Sequence, residues 1–479
     1  MKPSRRWLQW SLLWVGAITT LGVVVAVWRD SAGPKQYRPI HEWPRVQEVP
    51  MRNYQRALMT VRANGLMGTV ILPDASDTVE AAGTMPASDV GFVAPQVCGQ
   101  CHADQWHDCQ KTAHFLASSE PTRSVDSRRF EPPHNRVKTF HPQAWFEMVA
   151  KPSGDYQQLH IEHEGESFRH EAKIDLVIGS GKMGHSYLTW VKDALHQLPV
   201  SFFTDGNRWG SSPGSDYADG VFNFARPITE RCLDCHATRF ERVPRSINRF
   251  YRNEQELGVT CSRCHGRGRE HVEHHQANPH AIEPHAIVNP AKLSRELGLA
   301  VCAQCHSGEG ELVSKGFRYQ PGEPLAKFLT LANDDANSAA ADPHAANQLR
   351  RLEKSACFQK SEMSCFTCHD AHRNERGQAT LFVDRCLKCH QPDNCGQRKT
   401  TGTTIDRLCV ECHMPLVEDT DVRVLGEGAM PVPKMRDHRI QIWRAATDDV
   451  LKRLNSQPSV EPKEEAKPDP GLGEKPAID

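Results

Sequence analysis

Residues 232–265 read CLDCHATRFERVPRSINRFYRNEQELGVTCSRCH, and the kind of molecule this chain forms is decided there. The stretch opens and closes on one pattern, Cys-x-x-Cys-His, as Cys232, Cys235, His236 and as Cys261, Cys264, His265. Upstream the pattern occurs once more, at Cys98, Cys101 and His102. Downstream it recurs at Cys302, Cys305, His306, then Cys365, Cys368, His369, then Cys386, Cys389, His390, and finally Cys409, Cys412, His413. These copies use 14 of the 17 cysteines in the 479 residues. Two thiols three positions apart and a following histidine form the attachment signature of c-type haem. Each thiol can form a thioether to one vinyl group, and the adjoining imidazole then falls under the iron as proximal ligand. The pattern predicts seven covalently bound haem c groups. Paired Cys-x-x-Cys units also build zinc ribbons. Zinc, however, does not need a histidine after every second cysteine, and seven units do not pair off evenly. A disulfide framework leaves the seven histidines unexplained.

The first and last residues point to a compartment. Trp7–Trp28, WLQWSLLWVGAITTLGVVVAVW, carries no charge and is about long enough to cross a bilayer. Lys2, Arg5 and Arg6 precede it, which keeps the N-terminus cytoplasmic and exports the remainder. A cleaved signal peptide is the rival, but its apolar region is shorter and no small-x-small site precedes Arg29. The expectation is a single-pass anchor over residues 1–30 with the bulk of the chain in the periplasm. Haem attachment outside the cytoplasm fits the same compartment. Residues 31–90 read as linker and lead-in, 91–445 as the seven-haem domain, and 446–479, rich in Pro, Glu, Lys and Asp, as a mostly disordered tail. With 58 basic and 59 acidic residues the net charge gives no sign of a nucleic-acid partner.

About 130 residues separate the first motif from the second, whereas Cys365 and Cys386 are only 21 positions apart. Segments that short cannot build a core around each haem, so the haems themselves must fill much of the interior. The expected fold is mainly α, with long irregular segments around a packed multihaem core, an N-terminal transmembrane helix and a small antiparallel β insertion over 134–224. Within that insertion Tyr156–Ile178 alternates around Glu164-Gly165-Glu166 and predicts a hairpin, and LPVSFF at 198–203 predicts a further strand. Residues 230–233 and 297–302 predict helical pieces leading into motifs.

A haem with two axial histidines is saturated and transfers electrons, whereas one with a single histidine keeps an open site. The sequence has 25 histidines, enough for two on every iron. The candidates for the second position are His114, His185, His271, His372 and His438, with His344 and His285 completing the set. His107 competes locally with His114, and His274, His275 and His280 read equally well as a solvated cluster. Met363 and Met414 are possible ligands but read first as packing. Of the three remaining cysteines, Cys357 and Cys395 are candidates for a disulfide, and Cys109 is a free thiol or a sulfur ligand beside the first motif.

Taken in order, GSGKMGHSYL, LPVSFF with SSPGSDY, CLDCHAT, GVTCSRCHGRGREH, IVNPAKL with CAQCH, PGEPL, RLEKSACF, MSCFTCHDAH, CLKCH, CVECHMP and DHRI run from 179 to 440, within a likeness that extends over about residues 95–442. This series resembles the multihaem cytochromes of the cytochrome c nitrite reductase and hydroxylamine oxidoreductase superfamily, in particular exported cytochromes with a cytochrome c-554 and c-prime type domain. The resemblance implies haems packed in parallel and perpendicular pairs, with electrons moving along them. It also implies distal roles for His372, His271 and His114. Three departures stand out. There is no Cys-x-x-Cys-Lys motif, no tyrosine matches the one cross-linked to the catalytic haem of the hydroxylamine branch, and QPDNCGQRKTTGTTIDRL at 391–408 lacks the histidines relatives often carry there. The leading functional expectation is electron transfer through mostly bis-His haems to redox partner proteins. The rival is an oxidoreductase acting on a small nitrogen or sulfur compound at one five-coordinate haem, and a third reading is a subunit of a larger respiratory complex.

Overall fold

The structure, a computed structural model, describes residues 56–57, 69–73, 83, 91–121, 127–139, 141–163, 165–215, 217, 220–308, 310–313, 315–331, 346–418, 424–426, 430 and 432–456. The stretch expected to anchor the chain, Trp7–Trp28, lies outside them, as does most of the linker. Among the described residues no helix is long and apolar enough to cross a membrane.

Strict alternation shapes the first half. In Ala144–Lys151 the residues Ala144, Phe146 and Met148 point inward and are 2% exposed or less, while their neighbours face out. This strand lies between Arg136–Lys138 and Gly154–His163, and Glu166–Lys173 completes a four-stranded antiparallel meander. Gly165 takes φ +85° at the tip of the hairpin predicted over Tyr156–Ile178, a conformation an L side chain rarely adopts. A second, seven-stranded sheet centres on Gly184–Val191, flanked by Ala194–Gln197, Val200–Phe203 and Leu176–Ile178. The strand predicted from LPVSFF is Val200–Phe203. Phe146, Met148, Leu159 and Ile161 of the meander meet Phe202, Trp209, Tyr217, Phe222 and Phe224 in one apolar core.

The second half is built differently. Its motif helices are single turns, at Cys261–His265, Cys365–Cys368 and Cys409–His413. The longest motif-bearing helix, Arg295–His306, starts where Ser294 Oγ accepts from Leu297 N–H at 3.4 Å. The apolar clusters here are small: Ala303, Leu349, Leu352 and Phe358 in one, Ile405, Cys412 and Val450 in another. Val450 belongs to helix Arg444–Ser456, so the segment expected as tail from 446 begins as a helix packed on the last motif.

The expectation of a mainly α chain with a small β insertion is overturned. Of the described residues about 32% are helical and 27% are strand, in several sheets. The physical reason is that a haem motif needs only one helical turn, while the β pairing runs beyond 224. Ala237–Arg242 pairs with Phe250–Leu257 between the second and third motifs, and Thr69–Pro73 adds a strand parallel to Val221–Asn223.

Candidate haem-binding sites

One helical turn places residues i, i+3 and i+4 on one face, and this sets both thiols and the imidazole of each motif toward a single partner. Local packing fixes each turn. In the first motif Gly99 must lack a side chain, because a Cβ there would lie 2.6 Å from Trp106 Cγ. The second motif is seated on the β core through Leu233, buried with Leu195, Phe240 and Phe250. In the fifth, Ser364 and Thr367 form a reciprocal capping box.

Histidine rings then face each other across motifs. His102 of the first motif lies parallel to His271, with ring centres 6.4 Å apart and planes at 17°. His265 of the third faces His372 at 6.0 Å and 20°, and His369 of the fifth faces His438 at 6.3 Å and 24°. His306 of the fourth meets His114 at 6.0 Å with the planes at 71°. Two imidazoles gripping one metal from opposite sides through bonds of about 2 Å hold their ring centres about 6 Å apart. The donor set therefore fits an axially ligated iron at four motifs. None of the four partners serves the motif next to it in sequence. His271 follows the third motif but faces the first, and His372 follows the fifth but faces the third. For His236, His390 and His413 the described residues offer no such partner.

In five of these histidines the second ring nitrogen is engaged, as ligating imidazoles require. His265 Nδ1 is 2.8 Å from the Val288 carbonyl, His306 Nδ1 2.9 Å from Gln348 Oε1, and His413 Nδ1 3.1 Å from the Gln441 carbonyl. On the opposing side His271 Nδ1 lies 2.9 Å from the His285 carbonyl and His438 Nδ1 3.0 Å from the Arg436 carbonyl. In the four of these rings that are paired, His265, His306, His271 and His438, the bond leaves Nε2 free to face the opposing histidine. Burial, with the neighbouring imidazoles His306 and His369, lowers His114 to about 4, and burial likewise takes His438 to about 4. Both rings are thus neutral at pH 7, the form that binds a metal.

Ion pairs hold the loops that carry the opposing histidines. Arg351 Nε donates to Asp437 Oδ1 at 2.9 Å, and Ser355 Oγ donates to the His438 carbonyl at 3.2 Å. His372 N–H donates to Asp370 Oδ1 at 3.0 Å, and Asp370 N–H in turn donates to Glu375, which pairs with Arg385. Thiols of different motifs also touch. A hydrogen bond from Cys261 holds Cys98 down to about 7, and one from Cys305 does the same for Cys235. Cys302 is bonded to Cys365 in the same way. The first motif thus adjoins the third, the second adjoins the fourth, and the fourth adjoins the fifth.

The other predicted residues fall elsewhere. His185 sits on strand Gly184–Val191 with its ring 6.4 Å from Tyr187. The His285 ring stacks on His274 at 4.0 Å, with Nε2 3.4 Å from Glu270 Oε1, and it is the His285 carbonyl that steadies His271. His344 lies outside the described residues. Cys357 and Cys395 are both free and are not joined to one another, which corrects the disulfide expectation. They sit apart: Cys395 packs with Ile405, Cys412 and Val450, whereas Cys357 lies near Cys368 and Cys386. The Cys109 thiol donates to the Trp106 carbonyl at 3.3 Å. Met363 packs on the Leu349 cluster. Residues inside the motifs went unread: Asp234, Arg263 and Gln304 are all buried. A charged or amide side chain directly before the second cysteine was the available signal.

The family model for cytochrome c554 and c-prime matches residues 220–266, which contain the second and third motifs. A solved structure titled outer cell wall cytochrome OcwA aligns at 15% identity and a TM-score of 0.45, covering 74% of this chain and 80% of that one. No curated protein matches the chain. The matched motif pair, its repetition along one polypeptide and the opposed histidines lead to one statement of kind: the chain is a multihaem c-type cytochrome.

Proposed function

We propose that this cytochrome carries seven covalent haem c groups and conducts electrons between them, held at a membrane by its N-terminal apolar segment with the haem-bearing part exported. The observation that carries the reading is the set of four histidine pairs at 6.0–6.4 Å, each joining a motif histidine to one from a distant part of the chain. Haem supplies a reversible one-electron change at iron. The polypeptide does the rest. The cysteines of Cys98/Cys101 and the six other motifs attach the groups, and the motif histidines hold them on one side. His271, His372, His114 and His438 close the other side at four of them, so that these four carry electrons without binding substrate. The neighbouring sulfurs Cys98–Cys261, Cys235–Cys305 and Cys302–Cys365 bring attachment points of different motifs together, as short-range transfer needs. Donor and acceptor are redox proteins or a larger respiratory assembly at the same membrane.

Intact mass of the mature protein tests the haem number. Seven groups of roughly 0.6 kDa each place it about 4 kDa above the polypeptide. A colourless protein, or one holding zinc, contradicts the proposal. Fractionation tests the anchor: the full chain sediments with membranes, and deletion of residues 1–30 behind a cleavable export signal releases a coloured soluble form.

A further inference from the structure

The position before the second cysteine is filled in three consecutive motifs by polar side chains that meet one another: Asp234, Arg263 and Gln304. All three are buried, at 6%, 6% and 3% exposure. Arg263 Nη2 donates to Asp234 Oδ1 at 2.7 Å and to the Asp234 carbonyl at 2.8 Å. Gln304 Nε2 donates to the Arg263 carbonyl at 3.4 Å. Arg231 adds a second cation, with Nη1 3.2 Å from Cys235 Sγ, 3.3 Å from the Gln304 carbonyl and 3.8 Å from Asp234 Oδ2. The Cys305 thiol lies 3.7 Å from the Asp234 carbonyl. The Arg231 guanidinium therefore sits against the sulfur of Cys235, and the charges of Asp234 and Arg263 act electrostatically on both Cys235 and Cys305, in the second and fourth motifs.

A buried ion pair is no better for stability than well-packed apolar residues of the same size, so its presence between three attachment turns asks for another reason. Two further observations bear on this. Phe317 N–H donates to Asp234 Oδ1 at 2.9 Å while Phe317 holds φ +60°, a strained backbone for a bulky residue. Arg263 Nε is buried without a partner, so the guanidinium is directed by Asp234 and not by the best count of its own hydrogen bonds. The pair is thus fixed in place at some cost, within the layer where the sulfurs meet.

We propose that Asp234 and Arg263 are positioning residues that set the reduction potentials of the haems on the second and fourth motifs through fixed, opposite charges. This rests on the haem reading above. Reduction adds an electron, so a nearby positive charge raises the potential and a negative charge lowers it, and low-dielectric surroundings enlarge both effects. Asp234 offsets the two arginines. Without its charge the potential of the adjoining haems rises, and without the Arg263 charge it falls.

Spectroelectrochemical titration of the full mature chain, with intact mass to count haems, tests this. D234N keeps the side-chain shape, and the expected result is an upward shift of at least one midpoint with haem number unchanged. R263Q is expected to shift a midpoint downward, and R263K, which keeps the charge, to stay near the unmodified protein. Unmoved midpoints in D234N overturn the proposal. So does a shift in the same direction in D234N and R263Q, which reports damaged packing, and so does loss of haem from D234N, which makes the pair an attachment clamp only. Should R263Q fail to mature, D234N against the unmodified chain still decides. An unmodified chain without haem instead overturns the functional reading, which its mass shows separately.

Discussion

Residues 136–257 and residues 261–413 solve the folding problem in opposite ways. The first region is closed by its own side chains: Phe146, Met148, Leu159 and Phe224 are fully buried in a single apolar core fed by three sheets. The second has helices that are mostly one or two turns long, Arg295–His306 excepted, and buried apolar clusters of three or four residues. Its ordering elements are motif cysteines, opposed histidines and ion pairs such as Arg351–Asp437 and Arg385–Glu375. The contrast teaches where stability comes from. Side chains suffice in the β-rich region, whereas the motif-rich region depends on what its cysteines and histidines hold, much as small metal domains fold only with their ion.

The largest expected effect breaks the comparison if it is wrong. Chain produced where haem cannot be attached should yield, on limited proteolysis, protected fragments from 136–257 and extensive cleavage within 261–413, read by mass spectrometry of the fragments. Equal protection of both regions would show that the second has a sufficient core of its own. Next in size, Phe146→Ala should destabilise the β-rich region by about 3–5 kcal/mol, the usual cost of emptying a fully buried aromatic site. Denaturant unfolding followed by tryptophan fluorescence measures this, and the visible haem spectrum should stay unchanged.

A smaller effect sharpens the same contrast through pH. Burial, aided by the Arg129 charge, lowers His185 to about 4, and burial also lowers His170. Both imidazoles are neutral in the folded region. Below about pH 6.5 the unfolded chain takes up protons that the folded one refuses, so stability falls as the pH drops. The loss from His185 runs on to about 4 and then ceases. Unfolding midpoints of the β-rich region measured between pH 7 and 4 should decline steadily, and a flat profile would contradict the neutral, buried state of these rings.

Much of this was legible in the sequence, for identifiable reasons. Covalent chemistry leaves a rigid signature, so the attachment cysteines and the motif histidines could be read as residues at fixed spacing. The hairpin around Gly165 and the strand Val200–Phe203 were legible because alternation has a period of two and the turn needs glycine. The helix–strand balance was misjudged because each motif suggests a helix although one turn is enough for it. The pairing of histidines was not legible at all. His271 stands six residues after His265 and faces His102, since opposed rings are brought together by tertiary packing and not by nearness along the chain. His285 shows the same limit, because it contributes a carbonyl where its ring had drawn attention.

Carbon monoxide titration of the reduced mature protein tests the opposed histidine pairs most directly. His372→Ala should add one equivalent of carbon monoxide binding to that of the unmodified protein, with one more high-spin haem and an unchanged haem mass, and His271→Ala, His114→Ala and His438→Ala should each do the same. Binding and spin state identical to the unmodified protein in these variants would contradict the claim that the paired rings grip iron between them.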